Sequence, residues 1–199
     1  MRNFRKSDNS LSWLQDGSGL VFEAENNAAK GSRVLVRYDL RSQQVTPLTS
    51  TSDRSTEPQV TNDTIAFWRF DLSANSNSAW RWHSMTVDGQ NDTDLGLDVG
   101  VFGAAKDGKL YAMTDKKLIE VTLASKQQKV VATDLPFTST ASRAAILEDN
   151  KLVAPYQSDP NSPAAFNRLG FVDLSTGTFT SVDKEGASEP FQTALLSGK

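Results

Sequence analysis

The feature that most constrains this chain is an internal repeat of 42 to 47 residues. Four segments share one order: an apolar stretch, a tight-turn pair, a strand, a variable loop, a second strand, a turn and a third strand. The first aspartates of this pattern are Asp16, Asp63, Asp107 and Asp149, which lie 47, 44 and 42 residues apart. Self-similarity at such a period indicates a chain built from stacked copies of one small unit.

The turn pairs of the four repeats predict β-hairpins. They are Asp16-Gly17, Asn62-Asp63, Asp107-Gly108 and Asp149-Asn150. Gly, Asn and Asp tolerate the positive φ that a two-residue hairpin turn requires. The flanking runs are rich in β-branched, aromatic and leucine residues and carry no helical stripe. Four short strands per repeat predict an all-β fold, a β-propeller of four-stranded antiparallel blades; a sandwich or an irregular meander is the alternative.

Two stretches resemble a known repeat. Trp13 to Phe22, WLQDGSGLVF, resembles the S-P-D-G-x-x-I-x-F core of TolB-like β-propeller repeats of the six-bladed type. Val36 to Thr49, VRYDLRSQQVTPLT, is similar to the aspartate-leucine turn and L-T ending of that repeat, and Phe171 to Thr180 has the same pattern. The resemblance is strongest over residues 11–49 and 143–182, and Trp13-Leu14-Gln15 departs from the usual W-S-P. Because the motif consists of strand and turn residues, it identifies architecture better than function.

The repeats predict one propeller domain over residues 1–199, with about four to five blades in this chain. The expected units are 11–49, 57–95, 100–133 and 143–183, and Ser188-Glu189-Pro190 begins a partial unit, 188–199, that repeats the opening of the second unit. The chain is then either part of a larger propeller or a small ring closed by its terminal segments. An open ring exposes edge strands and apolar blade faces, which predicts a partner surface, self-association or a continuation of the chain.

Composition excludes several classes of site. The chain has no cysteine and one histidine, His83, so disulfides, thiolate zinc sites, cysteine nucleophiles and three-histidine metal sites cannot be assembled within it. The net charge of −3 offers no basic field for nucleic acid. No apolar run approaches the roughly 18 residues that span a bilayer, and the polar start MRNFRKSDNS lacks the apolar region of a signal peptide. We expect no cofactor and no metal site.

The variable loops predict an acidic face. In a four-stranded blade, the loop after the second strand and the link to the next blade lie at the end opposite the tight turns. These segments (25–32, 50–57, 71–79, 93–100, 114–117, 133–142, 157–167 and 183–189) carry twelve acidic and five basic residues, a net −7 against +4 elsewhere. Asp94 and Asp98, in one predicted inter-blade loop, are the chosen candidates for contacts to basic groups. The alternative is that Asp is frequent there because it favours turns.

The second repeat concentrates aromatic and basic residues. Phe67, Trp68 and Phe70 lie on one predicted strand and Trp80 and Trp82 on the next, interleaved with arginines and His83. Trp and Arg are common binding anchors, and stacked Trp–Arg pairs bind peptides, sugars or cations. The predicted binding residues here are Trp68, Arg69, Trp80, Arg81, Trp82 and His83. The alternative is plain core packing between neighbouring blades, with His83 a hydrogen-bonded strand residue.

Function is predicted by resemblance and by elimination. The main hypothesis is a non-catalytic binding, sensor or protein-interaction module that contacts a protein or peptide partner, one with basic groups, on the loop face or a propeller edge. The TolB-like resemblance implies the periplasm or cell envelope of a bacterium; a cytoplasmic location is the alternative. The enzyme alternatives are a five-bladed glycoside hydrolase and the regulatory propeller of a prolyl-oligopeptidase-like peptidase. The chain has no G-x-S-x-G elbow, and Glu57 is the one carboxylate in the predicted inner segments. A calcium-stabilised repeat is a third class, disfavoured because its turn aspartates are sparse.

Overall fold

The computed structural model describes residues 4–26, 32–50, 53–70, 80–100, 102–114, 116–137, 144–156 and 168–182. Within these ranges the chain forms sixteen β-strands in four consecutive groups of four, which we call repeats 1 to 4. No helix in the described ranges has the length and apolar character that crossing a bilayer requires. The prediction of an all-β chain is confirmed.

The four strands of each repeat are consecutive in the chain. Repeat 1 consists of β1 (Phe4–Trp13), β2 (Gly19–Asn26), β3 (Arg33–Asp39) and β4 (Val45–Pro47). Repeat 2 consists of β5 (Arg54–Thr61), β6 (Thr64–Phe70), β7 (Trp80–Thr86) and β8 (Thr93–Asp98). Repeat 3 consists of β9 (Phe102–Lys106), β10 (Lys109–Thr114), β11 (Lys117–Thr122) and β12 (Gln127–Ala132). Repeat 4 consists of β13 (Ala145–Ile146), β14 (Lys151–Tyr156), β15 (Arg168–Asp173) and β16 (Phe179–Ser181).

The strands of each repeat pair in chain order. Repeats 3 and 4 are separate four-stranded sheets, whereas repeats 1 and 2 share one sheet because Arg33 of β3 pairs with Arg54 of β5 in parallel. The contacts divide the chain into two compact units, residues 1–99, 105–110 and 121–127 in the first and 100–104, 111–120 and 128–199 in the second. The single domain expected from the sequence stays a prediction, and the partial unit 188–199 lies outside the described residues.

Each tight turn has a residue of positive φ, and of the four pairs Asp107-Gly108 has positive φ at both residues. The first and fourth turns are longer than the two residues predicted, since Leu14 pairs with Gly19 and Leu147 with Lys151. Gly17, Asn62, Asp107 and Asn150 have φ of +70°, +50°, +52° and +59°. In every repeat the residue after the third strand donates its N–H to a carbonyl beside the first turn. These pairs are Leu40 to Ser18, Val87 to Asp63, Leu123 to Gly108 and Leu174 to Asn150, at 2.9 to 3.0 Å. The first and third turns of each repeat therefore lie together at one end of its sheet, as predicted.

Each repeat has two faces, which we call the leading face and the trailing face. The leading face carries the second residue of the second strand of each repeat, which is Leu20, Ile65, Leu110 or Leu152. The trailing face carries the third residue of that strand, which is Val21, Ala66, Tyr111 or Val153. The cores form where a trailing face meets the following leading face. Val21 and Leu35 of repeat 1 pack with Ile65, Phe67 and Met85 of repeat 2, and Tyr111 and Met113 of repeat 3 share a cluster with Leu152, Ala154 and Val172 of repeat 4.

Candidate functional site

The predicted binding residues of repeat 2 lie on two neighbouring strands but on opposite faces. Strands β6 and β7 are antiparallel, with Trp68 opposite Trp82 and Arg69 opposite Arg81. Side chains alternate between the two faces of a strand. The three tryptophans Trp68, Trp80 and Trp82 therefore lie on the trailing face, whereas Arg69, Arg81 and His83 lie on the leading face.

The trailing face supports the core-packing interpretation of the tryptophans. Trp82 is fully buried, and its ring meets that of Trp68 edge-on at 5.6 Å between centroids. Phe70 and Trp80 form a second edge-on pair at 5.3 Å. Such pairs add to the stabilisation from burial. Trp68 and Trp80 are partly exposed and keep some surface for contact, whereas Trp82 has none.

The arginines stack on phenylalanines. The guanidinium of Arg69 lies 5.2 Å from the centroid of Phe67, and that of Arg54 lies 5.5 Å from the centroid of Phe70. A stack between Arg69 and Trp68, its neighbour in the chain, is excluded by strand alternation. The interleaved sequence therefore places Trp68, Trp80 and Trp82 on one face and Arg69, Arg81 and His83 on the other.

Four residues on the leading face form what we call the charged network: Asp53, Arg69, His83 and Asp92. Asp92 accepts hydrogen bonds at both oxygens, from Nδ1 of His83 at 2.9 Å and from Nη1 of Arg69. The second guanidinium nitrogen of Arg69 lies 3.5 Å from Asp53. Because a carboxylate only accepts, Nδ1 of His83 must carry the hydrogen in this contact. Asp92 was not among the residues selected from the sequence, although it joins two that were.

Burial and charge act in opposite directions on Asp92. Partial burial by itself raises the pKa of a carboxyl group. The hydrogen bond from His83 and the positive charge of Arg69 more than offset this, and the pKa of Asp92 falls below its ordinary value of 3.8. Asp92 is therefore ionised at neutral pH and joins its two basic partners.

Asp94 and Asp98 lie in a strand, so their predicted placement in an inter-blade loop is wrong. The sequence Thr93 to Asp98 alternates polar and apolar residues, and β8 buries Leu95 and Leu97 while exposing both aspartates. Asp94 accepts the N–H of Gly96 at 2.7 Å. Asp98 lies 3.5 Å from Nη2 of Arg81. This alternation of polar and apolar residues is typical of a half-buried strand, and it indicates a strand over residues 93–98.

Acidic residues also lie at the end of the tight turns. Asp16, Asp39 and Asp88 surround Arg37, which lines two shallow clefts of about 280 and 240 Å³. The pKa of each of these carboxyls is lowered, first by a hydrogen bond from Ser18, Ser42 or Thr86 respectively and further by the charge of Arg37. The predicted charge difference between the two ends stays a prediction, since Asp71, Asp115, Asp159, Asp183, Glu185 and Glu189 lie outside the described residues.

One buried carboxylate was not found from the sequence. Glu23 on the trailing face of repeat 1 is fully buried, and its Oε1 lies 3.2 Å from Nη1 of Arg33. The hydroxyl of Thr56 in repeat 2 donates to Oε2. In the sequence, Glu23 is a charged residue within the apolar run of β2, and a carboxylate in such a position is buried together with a partner. Within the described ranges, no three His, Asp or Glu residues gather into a group that could hold a metal ion.

Comparisons with known proteins concern the fold. No protein-family model and no curated protein matches the sequence. Among solved structures, TolB from Acinetobacter baumannii is 14% identical, with a TM-score of 0.59 over 88% of this chain and 44% of that chain. An oligogalacturonate lyase in complex with manganese is 13% identical, with a TM-score of 0.67 over 94% of this chain and 56% of that one.

This chain has a TolB-like β-propeller fold. The fold prediction made from its turn pairs and repeat period is therefore confirmed. A nidogen/laminin complex is also similar, at 12% identity and a TM-score of 0.60 over 87% of this chain and 64% of that one. This TolB-like chain spans about half the length of the solved structures it matches. Propellers of this type thus include a lyase and a component of a protein complex, so the fold alone does not select an activity.

Proposed function

We propose that this TolB-like propeller is a non-catalytic protein-binding module of the bacterial envelope, and that its partner docks through basic groups on the outer strand of repeat 2. The observation that carries this proposal is strand β8. It ends the order of the shared sheet in the described residues and exposes Asp94 and Asp98 on one side while burying Leu95 and Leu97. An outer strand with two exposed carboxylates on one face offers both backbone and side-chain contacts to an extended peptide.

The spacing of the two carboxylates defines the partner. Asp94 and Asp98 are four positions apart in β8, but Asp94 pairs with His83 and Asp98 pairs with Arg81, so a bulge lies between them. The two aspartates therefore face a stretch of only two residues of β7, which corresponds to about 7 Å along a strand. An extended peptide with Lys or Arg at positions i and i+2 places two cations at the same separation. Arg81 contacts Asp98 at 3.5 Å, and a bound cation would share that carboxylate. The expected partner is therefore a basic, extended segment of a protein.

The charged network supports a structural rather than a catalytic role. A general base needs a lone pair directed at its substrate. Both oxygens of Asp92 are already engaged, one by His83 and the other by Arg69. Breaking these contacts would leave a half-buried carboxylate without its basic partners. The network fixes the β6–β7–β8 geometry on which Asp94 and Asp98 depend.

The envelope location rests on the TolB-like fold. The resemblance of repeats 1 and 4 to TolB repeats favours a bacterial envelope protein, and the structural match to TolB of Acinetobacter baumannii supports the same assignment. We expect an envelope module of this kind to act by binding another protein. This location agrees with a partner that is recognised through charge and extended backbone.

A peptide titration tests the proposal. The probe is a synthetic Val-Lys-Thr-Lys-Val-Thr peptide, whose lysines stand at i and i+2, and binding is followed by the amide shifts of Asp94, Gly96 and Asp98. Raising salt from 50 to 500 mM shortens the Debye length from about 14 to about 4 Å, so we expect affinity to fall at least tenfold. The double change Asp94→Asn with Asp98→Asn should cause a similar loss at low salt.

The matched control removes the same charge elsewhere. Asp16→Asn with Asp107→Asn changes two tight-turn residues, and we expect binding to be retained. If the control weakens binding as much as the β8 pair, net charge rather than this strand attracts the peptide and the proposal is wrong. The proposal also fails if the peptide shifts no amide of β8.

A further inference from the structure

Arg37 is a partly buried arginine whose guanidinium has no protein partner in the part of the chain that the structure describes. It lies on β3, opposite Val21 of β2 and Thr46 of β4, on the trailing face of repeat 1. No carboxylate oxygen of the described residues lies within 4 Å of its guanidinium, and no described atom accepts a hydrogen bond from it. A guanidinium has five N–H donors, and withdrawing it from water unpaired costs free energy. The donors of Arg37 are therefore available to an anion.

Two carboxylates share with Arg37 the smaller of its two clefts, which has a volume of about 240 Å³. One is Asp39, two residues further along β3 on the same face, and the other is Asp88 in the turn between β7 and β8 of repeat 2. The N–H and the hydroxyl of Ser42 donate to Oδ1 of Asp39 at 2.6 and 2.8 Å, and the hydroxyl of Thr86 donates to Oδ1 of Asp88. Within the described residues neither carboxylate forms an ion pair.

The three charged groups of this cleft are close enough to influence one another and too far apart to touch. The pKa of Asp39 and that of Asp88 are lowered, first by the hydrogen bonds from Ser42 and Thr86 and further by the positive charge of Arg37. Both carboxylates are therefore ionised at neutral pH. Opposite charges that line one cleft without pairing leave room for a ligand that carries both signs of charge.

Two hairpins of the first compact unit form the walls of the cleft. The β3–β4 hairpin contributes the polar side chains of Gln44 and Thr46 and the apolar side chain of Leu48. The β7–β8 turn closes the other side, since a Cβ at Gly89 would lie 3.2 Å from the carbonyl oxygen of Leu48. The N–H of Asp39 donates to the carbonyl of Gln44 at 3.0 Å and fixes the first hairpin. A cleft whose walls are fixed before binding loses little conformational entropy when a ligand enters.

We propose that this cleft binds a free basic α-amino acid, lysine or arginine. The α-carboxylate of the ligand pairs with Arg37, its α-ammonium with Asp39 and its side-chain cation with Asp88. The guanidinium and the two carboxylates give the cleft a single net negative charge, which the single net positive charge of a basic amino acid balances. The aliphatic stem of the ligand lies against Leu48, as long basic side chains do on apolar surfaces.

The spacing and the size of the cleft agree with such a ligand. Arg37 and Asp39 are two positions apart on one face of β3, which corresponds to about 7 Å along a strand. An α-carboxylate and its neighbouring α-ammonium bridge that separation with one ion pair at each end. A volume of about 240 Å³ is below that of sites for drug-sized ligands and suits a single amino acid. The cleft shares no residue with the Asp94 and Asp98 surface, so this inference is independent of peptide binding there.

Calorimetric titration of the full chain with lysine and three analogues tests the inference. Cadaverine lacks the carboxylate, 6-aminohexanoate lacks the α-ammonium, and norleucine lacks the side-chain ammonium. We expect lysine to bind and each analogue to bind about tenfold or more weakly, because each leaves one charged group of the cleft unpaired. Cadaverine that binds as tightly as lysine overturns the inference, since the carboxylates then attract any cation. Equal binding of 6-aminohexanoate also overturns it, because the cleft then fits the C-terminal lysine of a polypeptide, and so does equal binding of norleucine.

Variants assign the charged groups of the ligand to their partners. Arg37→Gln should weaken lysine binding about tenfold or more and leave cadaverine binding unchanged, because only the carboxylate loses its partner. Arg41→Gln removes the same charge from an exposed residue of the β3–β4 turn and should leave lysine binding unchanged. Asp88→Asn should remove the preference for lysine over norleucine, and it provides a second variant if Arg37→Gln lowers the urea midpoint. The inference is overturned if the wild type does not bind lysine at millimolar concentration, or if Arg37→Gln and Arg41→Gln bind it equally well.

Discussion

Nδ1 of His83 lies 2.9 Å from Oδ1 of Asp92, across the hairpin that joins β7 to β8. The two residues are nine apart in sequence, and Arg69 of β6 contacts the other oxygen of the same carboxylate. The side chain of Asp92, which directly precedes β8, thus links β8 to β7 and β6 on the leading face. This arrangement leads to a prediction about acid stability.

Asp92→Asn should lower stability at neutral pH and remove part of the acid sensitivity. The pKa of Asp92 is below 3.8 in the folded chain, so its ionised form stabilises the fold above the unfolded-state value. That contribution is lost as pH falls from about 4 through the lower folded value. Because Asp92 is only half-buried, we expect about 1 kcal/mol at pH 7. Urea unfolding at pH 7 and pH 3 measures the difference, and an equal loss at both would contradict the mechanism.

Trp82→Ala should cost far more stability than Trp80→Ala. Trp82 is fully buried against Trp68, and removing a buried indole costs about 3 to 5 kcal/mol because a cavity remains. Trp80 is partly exposed and should cost about half as much or less. Chemical denaturation of both variants gives the comparison. Similar losses of unfolding free energy in the two variants would contradict the difference in burial between Trp82 and Trp80.

Gly177→Ala should destabilise the chain more than Gly17→Ala. Both glycines have positive φ, +74° and +70°, so each substitution costs about 1 kcal/mol of backbone strain. A Cβ at Gly17 meets nothing within 4 Å, whereas one at Gly177 would lie 2.2 Å from the carbonyl oxygen of Val131. The additional clash should at least double the loss. The urea unfolding midpoints of the two variants measure the difference. Equal midpoints would show that the backbone at Val131 moves away from the added methyl group at little cost.

Glu23→Ala should destabilise the junction of repeats 1 and 2 by about 2 to 3 kcal/mol. The change leaves the buried hydroxyl of Thr56 without its acceptor and opens a cavity. Glu25→Ala, two residues along the same strand and exposed, is the matched control and should change stability by less than about 0.5 kcal/mol. Glu23→Gln should recover much of the loss because an amide oxygen also accepts from Thr56. No recovery would mean that the charge, through Arg33, is what matters.

The turns were predictable because local chemistry determines them. Asp107-Gly108 and Asn62-Asp63 supply residues that tolerate positive φ. The turn therefore depends on the identity of two adjacent residues, which the sequence shows directly. The strand status of Asp94 and Asp98 was equally available from the alternation in TDLGLD, and the loop prediction gave that alternation too little weight. Strand alternation likewise assigns Trp68 and Arg69 to opposite faces from their spacing alone.

The charged network was not predictable for a different reason. His83 is paired in register with Asp94, yet its side chain bonds Asp92, two residues earlier in the chain and directly before β8. Directly opposite and diagonal neighbours are both within reach of a long side chain, and the packing of Arg69 from β6 decides between them. Glu23 was missed similarly, because its partner Thr56 comes from another repeat, 33 residues away.

The hydrogen bond from the end of the third strand to the first turn recurs in all four repeats, as in Leu40 to Ser18 and Leu174 to Asn150. Each repeat therefore satisfies this carbonyl of its first turn with an N–H no more than about 25 residues away. Contacts this local favour fast folding. A repeat can then be copied or lost in a gene without leaving the corresponding turn carbonyl of another repeat unpaired. Evolution can then change the number of blades in a propeller one whole repeat at a time, and only the two terminal faces must adapt.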